Sequence, residues 1–251
     1  RQFAGAPLLY AGVGLGIAVS AELLVVGGAF GLHSAGLWLL LGAVCFALSL
    51  LALPGLLLDR AVVAAAPGMA SGQSAAPVAA WPLVVLYGLA GLGYIVTATY
   101  LPVLVRDSFP DLNAAHVWAV FGLGAAPSCF VWHRVHQRLG SRAALRVNLL
   151  IQAVGVALPA MLPTTTGFLL SALLVGGTFM GTVTIAMPAA QQAARHAKIN
   201  LMAVMTLAYG VGQIAGPLMA DRLHTLFLSF NGALLAAAAA LILAALLTLR
   251  L

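Results

Sequence analysis

Only one carboxylic acid, Glu22, sits inside a long apolar run of this chain. An ionisable group in hydrocarbon is costly and marks a functional position by default. A carboxyl there can take up and release a proton, so Glu22 is the candidate for proton coupling. The other chemistry on offer is neutral. Tyr87, Tyr94 and Thr97 fall on one helical face at spacings of 7 and 3, with Thr99 and Tyr100 flanking. Thr178 and Thr182 are four apart, and Thr206, Tyr209 and Gln213 follow at 3 and 4. Phenols, hydroxyls and an amide supply stacking and uncharged hydrogen bonds, which suits a small polar or amphipathic solute. The same groups also serve simply to bond helix to helix.

Reactive chemistry is missing from the pattern. No nucleophile–base spacing or acid/base pair lies in the apolar runs, and no His-Glu-x-x-His, Gly-x-Ser-x-Gly, P-loop or dinucleotide fingerprint occurs. The six histidines (His33, His116, His133, His136, His196, His224) are scattered, and His133 and His136 have neither Cys nor acid nearby. Cys45 and Cys129 each lie within an apolar stretch, so no disulfide framework is implied. No metal or cofactor is expected, and an intramembrane enzyme is disfavoured.

These side chains need elements to carry them, and composition says which. Of 251 residues 63% are hydrophobic and 6% charged, with a mean hydropathy of +1.10. Soluble domains are about 45–50% apolar and about 25% charged. Eleven basic and five acidic residues cannot coat a water-facing globule of this size, so the fold class is an all-α polytopic membrane protein. A helix needs roughly 20 apolar residues to cross the hydrocarbon. Eight such runs are expected, at about Pro7–Gly28, Leu37–Leu58, Trp81–Leu104, Ala115–Trp132, Ala144–Met161, Thr166–Pro188, Leu201–Ala220 and Thr225–Leu249. The last, nearly all Ala and Leu, reads as lipid-facing support. Continuous runs, not alternating ten-residue strands, exclude a β-barrel.

The positive-inside rule orients the spans. With the N-terminus cytoplasmic, nine basic residues fall inside (Arg1, Arg60, Arg134, Arg138, Arg142, Arg146, Arg195, Lys198 and Arg250) and two outside (Arg106, Arg222). The pI near 10.0 is therefore a topology signal and not a nucleic-acid footprint. Residues 59–80, rich in Ala, Gly and Pro, form a cytoplasmic linker between 1–58 and 81–251. That leaves two spans before it and six after. Tyr10-Ala-Gly12-Val-Gly14-Leu-Gly16 in the first span is echoed six spans later by Tyr209-Gly-Val-Gly212-Gln213-Ile-Ala-Gly216-Pro217. Six spans is the period of two parallel six-helix halves, although glycine-rich helices also converge easily.

The stretch Tyr87–Pro102, the run Gly176-Gly-Thr178-Phe-Met-Gly181 and the segment Met202–Pro217 resemble the YbfB/YjiJ-type branch of the major facilitator superfamily. The resemblance covers nearly the whole chain in order. It implies helices five to twelve of twelve, the last two of an N-terminal half followed by a whole C-terminal half. The absent initial Met and the two-plus-six partition lead to the same expectation of a C-terminal fragment, one that does not transport alone. Helices seven and ten of the superfamily plan, here the third and sixth spans, face the cavity, with the eleventh beside them. That makes Tyr94, Thr97, Thr178, Thr182, Tyr209 and Gln213 cavity candidates. Arg138, Gly140 and Arg142 match the superfamily's gating loop, but Gln137 stands where its acid belongs, so the arginines could instead meet helix C-termini or lipid phosphate. Gly212, Gly216 and Pro217 resemble an antiporter signature normally found in the fifth helix, where Gly12, Gly14 and Gly16 stand here without a proline. The function implied is proton-driven export of a small solute by alternating access across a bacterial inner membrane. A channel subunit or a non-transporting scaffold is the rival.

Overall fold

The computed structural model describes residues 5–58, 80–194 and 200–251, with side chains from residue 10 on and none at 56–58. The linker up to residue 79, with Arg1, Arg60, Arg195 and Lys198, lies outside the described residues. Among those described there are seven α-helices and no strand: α1 (Gly5–Ala29), α2 (Ser34–Leu58), α3 (Ala80–Ser108), α4 (Ala114–Met161), α5 (Thr165–Ala194), α6 (Leu201–Phe227) and α7 (Asn231–Leu247), followed by a 3₁₀ turn, Thr248–Arg250. All seven are long and apolar enough to cross a membrane, one fewer than the eight runs expected.

The difference lies in α4. Its 48 residues would measure about 72 Å at ~1.5 Å per residue, more than twice the ~30 Å hydrocarbon core. It is not one straight rod, because Gly140 has φ 74° and ψ 170° and breaks it into two stretches. The expected loop His133–Arg142 is helical up to this single residue. Asn113 starts the first stretch by accepting from the Ala115 amide at 3.0 Å, as an N-cap does.

Two further boundaries differ from expectation. Asp221–His224 continues α6, and the chain reverses later, through Leu228 at φ 52°. A C-terminal residue in the left-handed region is usually Gly, so nothing in the sequence flagged this turn. The final helix is also not simply lipid-facing. One side of α7, carrying Ala233, Leu234, Ala237, Leu241 and Ala244, is fully buried against α3 and α4. Only its opposite face, Leu235, Ile242, Leu243 and Leu246, is exposed.

The chain divides into two compact units, Arg1–Ala21 with Pro77–Leu251, and Glu22–Ala76. In the smaller unit the end of α1 and α2 pack at Gly27, which faces Leu37 and Leu40. In the larger unit α5 packs chiefly on α4, and α3 on α6. Its core is built from Leu83, Phe121, Leu145, Leu149, Ile185 and Leu241, each fully buried.

Candidate functional site

Glycine positions set the geometry of the α3–α6 crossing. A Cβ on Gly212 would overlap the Gly88 carbonyl oxygen and the Leu92 nitrogen, and one on Gly91 would stand 2.6 Å from the Tyr209 carbonyl oxygen. Gly216 faces Leu92 and Ile95 in the same way. Such close backbones are what small residues permit where lipid gives helices no hydrophobic drive to associate. The crossing brings Gln213 to Tyr94, whose hydroxyl oxygen accepts from the Gln213 Nε2 at 2.5 Å. Tyr209 lies between two other rings, 4.7 Å from Tyr87 and 5.7 Å from Tyr94. One turn further on, Tyr100 donates to the Pro217 carbonyl at 3.2 Å.

Tyr94 also forms part of a cavity of about 290 Å³. Val13 and Ile17 of α1 close one side, and Tyr94, Ala98 and Thr99 of α3 another. Trp118 and Phe121 of α4 and Phe179 of α5 complete the wall. The rings form a continuous series, Trp118–Phe121 at 4.7 Å, Phe121–Phe179 at 5.3 Å and Phe179–Tyr94 at 5.4 Å. No charged side chain lines the space. The glycines again do the positioning. Gly14 and Gly122 sit where α1 and α4 backbones touch, and Gly176 faces the Phe121 carbonyl oxygen.

Thr178 and Thr182 do not line this cavity; both are fully buried toward α4. The Thr182 hydroxyl donates to the Asn148 Oδ1 at 2.7 Å, and the Asn148 Nδ2 donates to the Thr178 carbonyl at 3.0 Å. Thr178 turns its own hydroxyl to the Leu174 carbonyl, 2.7 Å away. From the other side of the Gly140 break, Trp132 Nε1 donates to the Gly177 carbonyl at 2.7 Å. Both stretches of α4 therefore grip α5 within one and a half turns, and Phe179 stands in that gripped segment. Thr97 is likewise fully buried, off the cavity, and its hydroxyl has no hydrogen-bond partner among the described residues.

Asn148, Gln152 and the cavity rings Trp118, Phe121 and Phe179 are not among the residues expected from the sequence. Asn148 and Gln152 did leave a signal. Two amides four apart in an apolar run are costly in a membrane and share a face that must be buried. Asn148→Ala should cost roughly 1–3 kcal/mol, since it opens a hole and leaves the Thr182 hydroxyl without its acceptor. Thermal unfolding of the detergent-solubilised protein checks this, and an unchanged midpoint would contradict the grip. Asn148→Asp tests it separately, because its neutral form keeps the acceptor for Thr182.

The remaining candidates are dispersed. Gly12 and Gly16 are exposed, with nothing near where a Cβ would stand, and Gly14 alone of that motif makes the close approach. Glu22 is half-buried in the smaller unit. Arg138 is exposed. The Arg142 guanidinium donates to the Leu251 carbonyl oxygen, and Arg146 Nε donates to the Thr248 hydroxyl at 3.0 Å. Thr248 in turn donates to the Ala245 carbonyl at 2.6 Å, so two cations meet the C-terminal end of α7, where its dipole is negative. Gln137, in the acid's position, contacts His133 at 3.0 Å.

The family described as "uncharacterised MFS-type transporter YbfB" matches residues 1–249. No curated protein matches the chain.

Proposed function

The chain belongs to this family of transporters of the major facilitator superfamily, and from that premise we propose that it acts in proton-driven export of a small solute by alternating access. The observation that carries the reading is the uncharged Tyr94–Gln213–Tyr209 cluster on α3 and α6, joined through Tyr94 to an aromatic-walled cavity. A binding region without formal charge lets the solute and the proton use separate groups, and Glu22 is the residue assigned to the proton. The two stretches of α4 are assigned as separate crossings. That gives eight in all, two before the linker and six after it, the six forming one half of the transporter. The positive-inside distribution supports both ends of this sequence on the cytoplasmic side, and the membrane assigned to it is a bacterial inner membrane. Arg138, Gly140 and Arg142 then lie at the cytoplasmic mouth, where the clasp on the end of α7 would form and release with gating.

The test is reconstitution of the native gene product carrying this sequence into liposomes with an imposed pH gradient. Solute addition should move protons, and Tyr94→Phe or Gln213→Leu should lower that flux by about tenfold or more, the size expected for one lost buried hydrogen bond. The solubilised variants should still elute as folded protein. Solute flux that ignores the gradient would defeat the coupling, and flux that never saturates would favour a channel.

A further inference from the structure

We propose that the cavity between α1, α3, α4 and α5 is a site for a flat, uncharged aromatic solute. The inference rests on the transport reading and gives that site its substrate class. Three observations carry it.

The first is shape. The four rings occur as two nearly parallel pairs, Trp118 with Phe121 at 18° and Tyr94 with Phe179 at 12°. Phe121 and Phe179 are inclined by 34° and join the pairs into one wall. Aromatic rings prefer offset-stacked or edge contacts, so a planar guest extends such a series, whereas a saturated ring or an acyl chain gains only contact area.

The second is charge. An organic cation could also use ring faces, but no carboxylate stands in the wall to offset the desolvation of a charge. An anion has no cationic partner in the wall either.

The third is size and polarity. About 290 Å³ is at the lower edge of the ~300–1,000 Å³ usual for ligand pockets, which limits the guest to about two fused rings. The polar side-chain groups in the wall are the hydroxyls of Tyr94 and Thr99 and the indole N–H of Trp118. The Tyr94 hydroxyl is engaged with Gln213 and Tyr209, which leaves the Trp118 N–H and the Thr99 hydroxyl as the groups in the wall to bond a guest. A guest with one hydrogen-bond acceptor is therefore favoured over a bare hydrocarbon.

Equilibrium binding to the purified protein in nanodiscs tests this with four probes of similar size: 2-naphthol, decahydro-2-naphthol, naphthalene-2-sulfonate and N-methylquinolinium. Saturable binding of 2-naphthol is expected, about tenfold or more tighter than each of the other three. Ala98→Phe, which fills the space, should abolish it, and Trp118→Leu should weaken it about tenfold. Trp118→Leu keeps the test valid if the larger substitution prevents folding. Equal binding of the decahydro probe would make the cavity a groove for lipid chains, and preference for the quinolinium would make it a cation site. Either overturns the proposal, as does binding that neither substitution reduces. Binding needs no pH gradient. Bound naphthol with no proton-linked flux of any solute would refute the transport reading alone, and transport of other solutes without naphthol binding would refute this inference alone.

Discussion

Gly212→Ala is expected to cost the folded protein more than any other single methyl group added to α6. The methyl would have to occupy the space held by the Gly88 carbonyl oxygen and the Leu92 amide. Both are backbone atoms of α3, so no side chain can swing aside, and the helices must separate. Overpacking a fitted core costs typically ~1–3 kcal/mol, and displacement of a whole helix lies at the upper end or beyond. Separation would also break the Gln213–Tyr94 hydrogen bond and unstack Tyr209 from Tyr87, so binding should fail together with stability. Gly12→Ala and Gly16→Ala are the controls, since nothing stands near either position. Thermal unfolding of the three variants decides it. A Gly212→Ala protein that melts with its controls would mean that the α3–α6 crossing is looser than described.

Gly140→Val is the second large effect. At φ 74° and ψ 170° the residue occupies a region essentially reserved for glycine. A side chain costs on the order of 1–3 kcal/mol there, and a β-branched one the most. If the break is lost, Trp132 and Asn148 can no longer both reach α5, and their bonds to the Gly177 and Thr178 carbonyls cannot form together. The expected result is protein that fails to accumulate in the membrane, while Leu139→Val, one residue earlier and exposed, accumulates normally. Equal accumulation would show that the break does not depend on glycine.

The sequence disclosed what depends on neighbours along the chain and hid what depends on neighbours across it. Span positions were legible because hydrocarbon length fixes them, and the small-residue motifs are visible on α1 and α6. Which glycine makes the approach was not legible. Gly12, Gly14 and Gly16 look alike in sequence, and only the facing Ala126 singles out Gly14. The merging of two expected spans into α4 reflects a one-residue break that leaves no run of polar residues. Leu228 adopts a glycine-like conformation and so concealed the turn before α7. Ala-rich α7 was misjudged because small apolar residues suit both a lipid face and a tight helix interface. The cavity rings were passed over for a related reason. Trp118, Phe121 and Phe179 resemble any aromatic residue in an apolar span until α4 and α5 bring them together. Thr178 and Thr182 stand out as polar, but their partner, Asn148, lies 30 and 34 residues from them along the chain.

The contact of Arg142 and Arg146 with the end of α7 imposes an order on biosynthesis. Leu251 leaves the ribosome 109 residues after Arg142. At ~5–20 residues per second the second stretch of α4 waits on the order of 5–20 s for the carbonyl that will receive its guanidinium. Throughout that interval the arginines can be held only by water, headgroups or the insertion machinery. Formation of this contact is thus a late event, one that waits until the whole of α7 has followed the second stretch of α4 into the membrane.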